Sequence, residues 1–287
     1  MRKTNNPPFV PMILAVMCSV FIFSCRKQTQ EQHPRYVVLS PEVAEILAGL
    51  GVASDIVGVS KECDYPEELA SIPKVGNFGM IDREAVIKLT PSIVFTTSLE
   101  QDAIASELQK LGYRVESVYP KTLVDMQQQI LRLGKMLGKD EAALRLVSDI
   151  RSALDSLALI NSGKARPRVY IEINRDPLMS VSDNSFVGQL LEAAGGDNVF
   201  GTLERDYCRV SPEDVVNAAP DIIICYSQDT MDNIRSRKGW QDIPAIRSGR
   251  IYFEKDIDPD LIQRAGPRIV LGLGRLRELY DGAQPGL

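Results

Sequence analysis

With 287 residues, the chain has room for one large or two moderate domains, each able to bury a core. Its net charge of −5 argues against a nucleic-acid partner, and its 44% hydrophobic and 25% charged content is that of a folded globule. The single histidine, His33, stands in a polar stretch, which removes His-based zinc sites, Ser-His-Asp triads and Cys-His dyads from the folded body.

The chain opens on Arg2 and Lys3, followed by an apolar run from Val10 to Phe23, broken early by Pro11. At about 14 residues the run is too short to span a bilayer comfortably and the right length for a signal-peptide core. It ends at Ile22-Phe-Ser-Cys25, a small residue before Cys. The pattern resembles a bacterial lipobox, with residues 1–24 as signal peptide and Cys25 as the lipidated mature N-terminus. Residues 25–35 then read as a polar tether. An uncleaved anchor or an ordinary signal peptide is the alternative.

Residues 36–122 alternate strand and helix. Tyr36–Leu39 is a strand. Ser40 and Pro41 start a helix through Leu50, with Pro in the favoured first position. Residues 55–60 form a strand, 61–66 a loop, and 75–79 a loop or short strand. A helix around Glu84, the strand Ile93–Thr96, a helix from about Asp102 to Leu111 and the strand Tyr113–Tyr119 follow. Strictly alternating elements imply parallel pairing.

Residues 123–166 read as linker helices. Leu123, Met126, Ile130, Leu133 and Leu137 recur at helical spacing, and so do Ala143, Val147, Ile150, Leu154 and Leu157. Thr122 with Asp125 fits a capping box, Gly138 suits the first stop, and Asp140 suits the second N-cap. From Asp140 to Ile160 there is neither Gly nor Pro, which predicts a stiff rod roughly 30 Å long.

Residues 167–287 repeat the alternation: a strand at Arg168–Ile173, a helix from Ser185 to Ala194 stopped by Gly195-Gly196, and a loop from Glu204 to Val210. A helix at Glu213, the strand Ile222–Cys225, a helix near Met231–Arg237, the strand Arg250–Phe253 and a last helix from about Ala265 to Tyr280 complete the series. Glu84-Ala-Val-Ile-Lys-Leu-Thr-Pro91 and Glu213-Asp-Val-Val-Asn-Ala-Ala-Pro220 share a helix-start Glu, a Pro seven residues later and a following apolar strand. The fold class expected is α/β: two similar lobes with parallel sheets joined by one long rigid helix. A ligand would sit between the lobes, beyond the strand C-termini. Cys63 and Cys208 fall on stretches expected to rim that cleft, one per lobe, and Cys225 falls in a strand. Two free thiols are the default, and a Cys63–Cys208 disulfide is the alternative.

The chain resembles the helical-backbone class, class III, of ABC-importer substrate-binding proteins, which capture corrinoids, ferric siderophores and haem, and most of all its cobalamin-binding members. The resemblance rests on Leu39-Ser-Pro41 with Glu45, Val57-Gly-Val-Ser60, Asp64-Tyr-Pro66, and Gly79-Met80 with Glu84. It extends to Leu89 with Pro91, Gly195-Gly196 with Asn198 and Phe200, and Arg264-Ala-Gly-Pro-Arg268. It implies a binding protein, not an enzyme, with no cofactor, on the extracytoplasmic face of a bacterial envelope. The implied partners are an ABC permease dimer with its ATPase, met through Glu84 and Glu213, and the membrane through the Cys25 lipid. The implied ligand is a corrinoid, cobalamin or cobinamide. Matched positions assign Phe78 and Tyr207 as aromatic contacts, Asp260 and Arg264 as polar ones, and Asp64 and Tyr65 as rim residues.

Thr97, Ile173 and Met179 replace aromatic residues of the cobalamin binders, so an iron chelate, siderophore or haem, stays open as the alternative ligand. Two further readings stand beside it: a corrinoid-capturing surface lipoprotein without its own importer, and an enzyme such as a chelatase on a similar frame. The enzyme would need a proton-accepting group in the cleft, and the sole His lies in the tether.

Overall fold

A computed structural model describes Met1 and residues 33–97 and 101–282. Cys25, the apolar run Val10–Phe23 and most of the tether lie outside the described residues. Among the described residues no helix is long and apolar enough to cross a membrane.

The first lobe opens with strand β1 (Tyr36–Val38), helix α1 (Pro41–Gly49) and β2 (Ile56–Val59). A small antiparallel pair, β3 (Gly76–Asn77) with β4 (Met80–Ile81), precedes α2 (Arg83–Lys88), and β5 (Ile93–Thr96), α3 (Asp102–Lys110) and β6 (Val115–Ser117) follow. The main sheet is parallel, in the order β2-β1-β5-β6. The last strand is shorter than the Tyr113–Tyr119 expected, and Tyr119 to Lys121 form a rim loop beyond it.

The rod is two antiparallel helices, α4 (Leu123–Met136) and α5 (Asp140–Asn161), the second 22 residues long and unbroken. The Thr122 hydroxyl accepts from the Asp125 amide at 3.0 Å, and Gly138 takes the positive φ (+66°) of the turn. The expected N-cap at Asp140 is displaced by one residue. Lys139 caps without a side-chain bond, and Asp140 is the first helical residue, where its charge favours the helix dipole.

The second lobe contains β7 (Arg168–Glu172), β8 (Asn174–Arg175), β9 (Leu178–Val181), α6 (Phe186–Ala193) and β10 (Asp197–Asn198). It continues with β11 (Tyr207–Arg209), α7 (Pro212–Ala218), β12 (Ile222–Cys225), α8 (Met231–Ser236), α9 (Pro244–Ser248) and β13 (Ile251–Phe253). Its parallel sheet runs β10-β7-β12-β13, the same topology as the first lobe when β2, β1, β5 and β6 are matched in turn. Finer marks of the repeat agree. Ser40 and Ser185 cap α1 and α6 through their hydroxyls. Thr90 and Ala219, just before Pro91 and Pro220, both adopt positive φ (45° and 43°). Residues other than glycine seldom adopt that conformation, so its recurrence at equivalent positions marks one shared turn.

The second lobe also carries an antiparallel sheet, β11-β9-β8, absent from the sequence reading. The expected loop from Glu204 to Val210 therefore holds a strand. A short helix absent from the sequence reading, α10 (Asp260–Gln263), precedes the last expected helix, which begins not at about Ala265 but only at Ile269, as α11 (Ile269–Tyr280). Pro267 lacks an amide proton and pushes the residue before it out of the helical region, so the chain bends at Arg264–Arg268.

Alternate residues of the buried strands face opposite layers. Tyr36 and Val38, Val169 and Ile171, and Ile222 and Ile224 join one core with Leu133, Val147 and Ile150 of the rod and Leu276 of α11. Val37 and Val94 pack on the outer side of the first lobe; Tyr170, Ile223 and Trp240 do so in the second. A single core thus runs from lobe to lobe through the rod. At about 1.5–3 kcal/mol for each fully buried aliphatic side chain, it fixes the lobes more firmly than any surface contact can.

Candidate functional site

A cavity of ≈ 220 Å³ lies where strand ends of both lobes meet the C-terminal segment. The first lobe contributes Glu42, Phe78, Thr97, Tyr119 and Lys121; the second contributes Ser185, Phe186, Asp206 and Tyr207; Gln263 and Ala265 close it.

Each wall is held by identifiable bonds. In the first lobe, buried Gln101 donates to the Leu39 carbonyl at 2.9 Å and the Phe78 carbonyl at 3.3 Å, while its own amide oxygen accepts from the Thr97 N–H at 3.0 Å. That one side chain fixes Phe78 and Thr97 against the end of β1. In the second lobe, the Ser182 amide donates to the Asp206 carbonyl at 3.0 Å, and β11 pairs Tyr207 opposite Val181. The turn leading into Ser185 packs so closely on α6 that a Cβ at Gly188 would stand 2.0 Å from the Ser182 carbonyl oxygen. Only glycine fits there. Asn198 donates to the Val181 carbonyl and to the Asp183 carboxylate, each at 3.0 Å, which ties the Gly195–Phe200 motif to the same turn.

Electrostatically the site is mixed. Burial pushes the Glu42 carboxyl above the usual carboxylate range, although the Ser40 and Thr97 hydroxyls and its own amide pull back. Burial, with Tyr119 and Asp206 nearby, pushes the Tyr207 phenol up to about 12, so it is neutral at physiological pH. Tyr119 and Tyr207, 39% and 41% exposed, stand at the rim from opposite lobes.

Of the residues matched by resemblance, Phe78 and Tyr207 line the cavity, as does Thr97. Asp64, Asp260 and Arg264 instead meet in an ion cluster. Arg264 bonds Asp64 at 2.9 Å, Asp260 at 2.7 Å and Glu45 at 3.3 Å. Burial raises the Asp64 carboxyl's pKa, but the Arg264 bond and charge outweigh this and hold it below the usual value. Tyr65 lies under the Arg268 guanidinium, 4.1 Å from ring centroid to Cζ, beside a second cavity of ≈ 370 Å³ lined also by Pro66 and Leu271. Ile173 and Met179 share a backbone bond in the β8–β9 hairpin.

Sequence reasoning missed Glu42, Tyr119, Lys121, Ser185 and Asp206. Glu42 follows Pro41 directly after a strand, and Tyr119 to Lys121 follow another. The rule that ligands gather beyond strand C-termini pointed at those stretches without naming the side chains.

Cys63 is a correction. Expected on a cleft-rim loop, it is fully buried in the first core, 3.4 Å from the Ser60 hydroxyl, and burial pushes its thiol up to about 11. Cys63 and Cys208 are both free, and Cys225 is buried in its strand.

Glu84 and Glu213 each occupy the second position of their helices and are exposed. The capping residues are equivalent: Asp82 accepts from the Ala85 amide at 3.0 Å, and Ser211 accepts from the Asp214 amide at 3.1 Å.

The family model described as "Periplasmic binding protein" matches residues 37–260. The chain is 28% identical over 259 residues to an uncharacterized ABC transporter substrate-binding lipoprotein, YvrC, of Bacillus subtilis, covering 87% of this chain and 81% of that one. It is 24% identical over 247 residues to the vitamin B12-binding protein of Vibrio vulnificus, covering 86% and 89%. Its fold is similar to the periplasmic heme-binding protein RhuT of Roseiflexus sp. RS-1, with TM-score 0.76, 24% identity, and 88% and 99% covered. The chain belongs to the periplasmic binding protein family, in its class III form: it is an ABC-transporter substrate-binding protein rather than an enzyme, and it works with a permease and an ATPase.

Proposed function

We propose that this protein captures a corrinoid, cobalamin or cobinamide, between its lobes and delivers it to the permease. The observation that carries the reading is the aromatic pair, Phe78 from one lobe and Tyr207 from the other, on a cavity edged by Thr97, Ser185 and Gln263. A corrin ring is broad and fairly flat, with amide arms at its edge. It asks for aromatic faces and hydrogen-bonding groups around them. The cavity is smaller than the roughly 300–1,000 Å³ of ordinary ligand sites, so the ring would seat with one edge at the open rim. The relatives named for vitamin B12 binding support the same choice.

Glu84 and Glu213 serve as paired docking carboxylates for the permease dimer; their exposure and equivalent positions in the repeat support this. Cys25, after a signal peptide of residues 1–24, carries the lipid that tethers the protein to the extracytoplasmic face of the envelope. The relative named as a lipoprotein supports that assignment. Isothermal titration with cyanocobalamin, cobinamide, haem and two ferric siderophores tests the ligand. One-to-one corrinoid binding is expected. Tight siderophore or haem binding without corrinoid heat would replace the ligand and leave the class intact.

A further inference from the structure

We infer that Glu42 is a specificity-determining residue that selects neutral, amide-bearing ligands and rejects ligands carrying carboxylates or phenolates. The inference rests on the reading above only in taking the interlobe cavity as the ligand site.

Glu42 is the second residue of α1 and lines the cavity. The Ser40 and Thr97 hydroxyls favour its ionised form only in part, against the larger effect of burial. Arg264 acts on it only through its charge, being itself engaged by Glu45, Asp64 and Asp260. Two other charged side chains line the cavity, Asp206 from the second lobe and Lys121 from the first. Carboxylates therefore outnumber ammonium groups by two to one, and Glu42 is half-buried and has no ion-pair partner among the described residues.

A carboxyl in this setting constrains what can lie against it. A primary amide carries both N–H donors and a C=O acceptor, so it satisfies Glu42 whether that group is ionised or protonated. A ligand carboxylate or phenolate only accepts. It can meet Glu42 only in its protonated form, and beside the ionised form it meets a like charge at low dielectric. Neither Ser40 nor Thr97 supplies a compensating positive charge, and Lys121 is exposed at the rim. Phe78 and Tyr207 accept any flat ring, so they do not discriminate between macrocycles. Glu42 does.

The test is titration of the full chain and its Glu42→Gln variant with cobinamide, whose edge carries amides, and with haem, whose edge carries two carboxylates. Glutamine keeps the size and an acceptor and adds donors. The haem affinity should rise about tenfold, the order of one charge-assisted hydrogen bond, while cobinamide changes by less than about threefold. Parallel changes for both ligands, or no change for either, would overturn the role of Glu42. Wild-type preference for haem would overturn both the corrinoid reading and the selection by Glu42, whereas parallel changes beside tight wild-type cobinamide binding would overturn Glu42 alone. Binding of neither ligand to the wild type would overturn both.

Discussion

Arg268 closes on Glu45 across 223 residues of chain: its Nε donates to Oε2 at 2.9 Å and its Nη2 to Oε1 at 2.5 Å. Glu45 is almost fully buried on α1 of the first lobe, and Arg268 stands just before α11, which packs on the rod and on α6 of the second. Arg264 adds a third bond to the same carboxylate, at 3.3 Å. The contact thus pins the C-terminal segment to the first lobe. Removing one partner of a buried pair leaves the other charge uncompensated, so Glu45→Ala should cost about 3–5 kcal/mol of stability in denaturant unfolding. Replacing both Glu45 and Arg268 by apolar residues of similar volume should cost less than Glu45→Ala alone.

Glu42 makes a stability prediction as well as a binding one. Its carboxyl pKa is raised in the folded state by burial. The folded state therefore holds a proton that the unfolded state has released, and the associated stability is present below the ordinary carboxylate pKa and lost as pH rises through the folded value. Glu42→Gln should be as stable as wild type below about pH 4 and more stable at neutral pH. Thermal melts at several pH values, with no ligand, would show the gap opening as pH rises. A gap that is constant with pH would mean that Glu42 is not desolvated in solution.

Docking is expected to need both helix-start carboxylates. Glu84→Ala and Glu213→Ala should leave ligand affinity unchanged, since neither lines the cavity. Each should slow ligand-stimulated ATP hydrolysis by the permease complex modestly, as exposed ion pairs contribute about 0.2–1 kcal/mol each, and the double variant should be slower still. Wild-type docking should also weaken with salt. Double-variant protein that binds its permease as tightly as wild type at low salt would show that the two residues only favour their helix dipoles.

Ligand binding should change the overall shape little. The 22 residues of α5 contain neither Gly nor Pro, so the rod has no site for a sharp bend. Room for a macrocycle would come from half-exposed rim side chains such as Tyr119 and Tyr207. Small-angle scattering should show nearly the same radius of gyration with and without ligand; a marked compaction would place a hinge within the rod.

The rod, both parallel sheets and the duplicated lobes were legible because they depend on periodicity and turn chemistry. Leu133, Val147 and Ile150 recur at helical spacing and all reach the core. Thr90-Pro91 and Ala219-Pro220 mark the same turn twice. The β8–β9–β11 sheet was not legible: its strands are two to four residues long, and Asp176-Pro177 reads as loop. Flanking apolar residues continue the helical pattern through residues 265–268, though Pro267 carries the contrary signal. Phe78 and Tyr207 were found through motif positions. Glu42 was not, because a carboxylate in a first helical turn is ordinary in sequence, and only three-dimensional packing turns it toward a cavity.

The most direct measurement is calorimetric titration of cyanocobalamin into wild type and into the Phe78→Ala/Tyr207→Ala double variant. Wild type should bind one corrinoid per chain. Each aromatic face contributes about 1–2 kcal/mol, so the double variant should bind at least tenfold more weakly with the fold unchanged. Absence of corrinoid heat from wild type, or equal affinity in the double variant, would contradict the account.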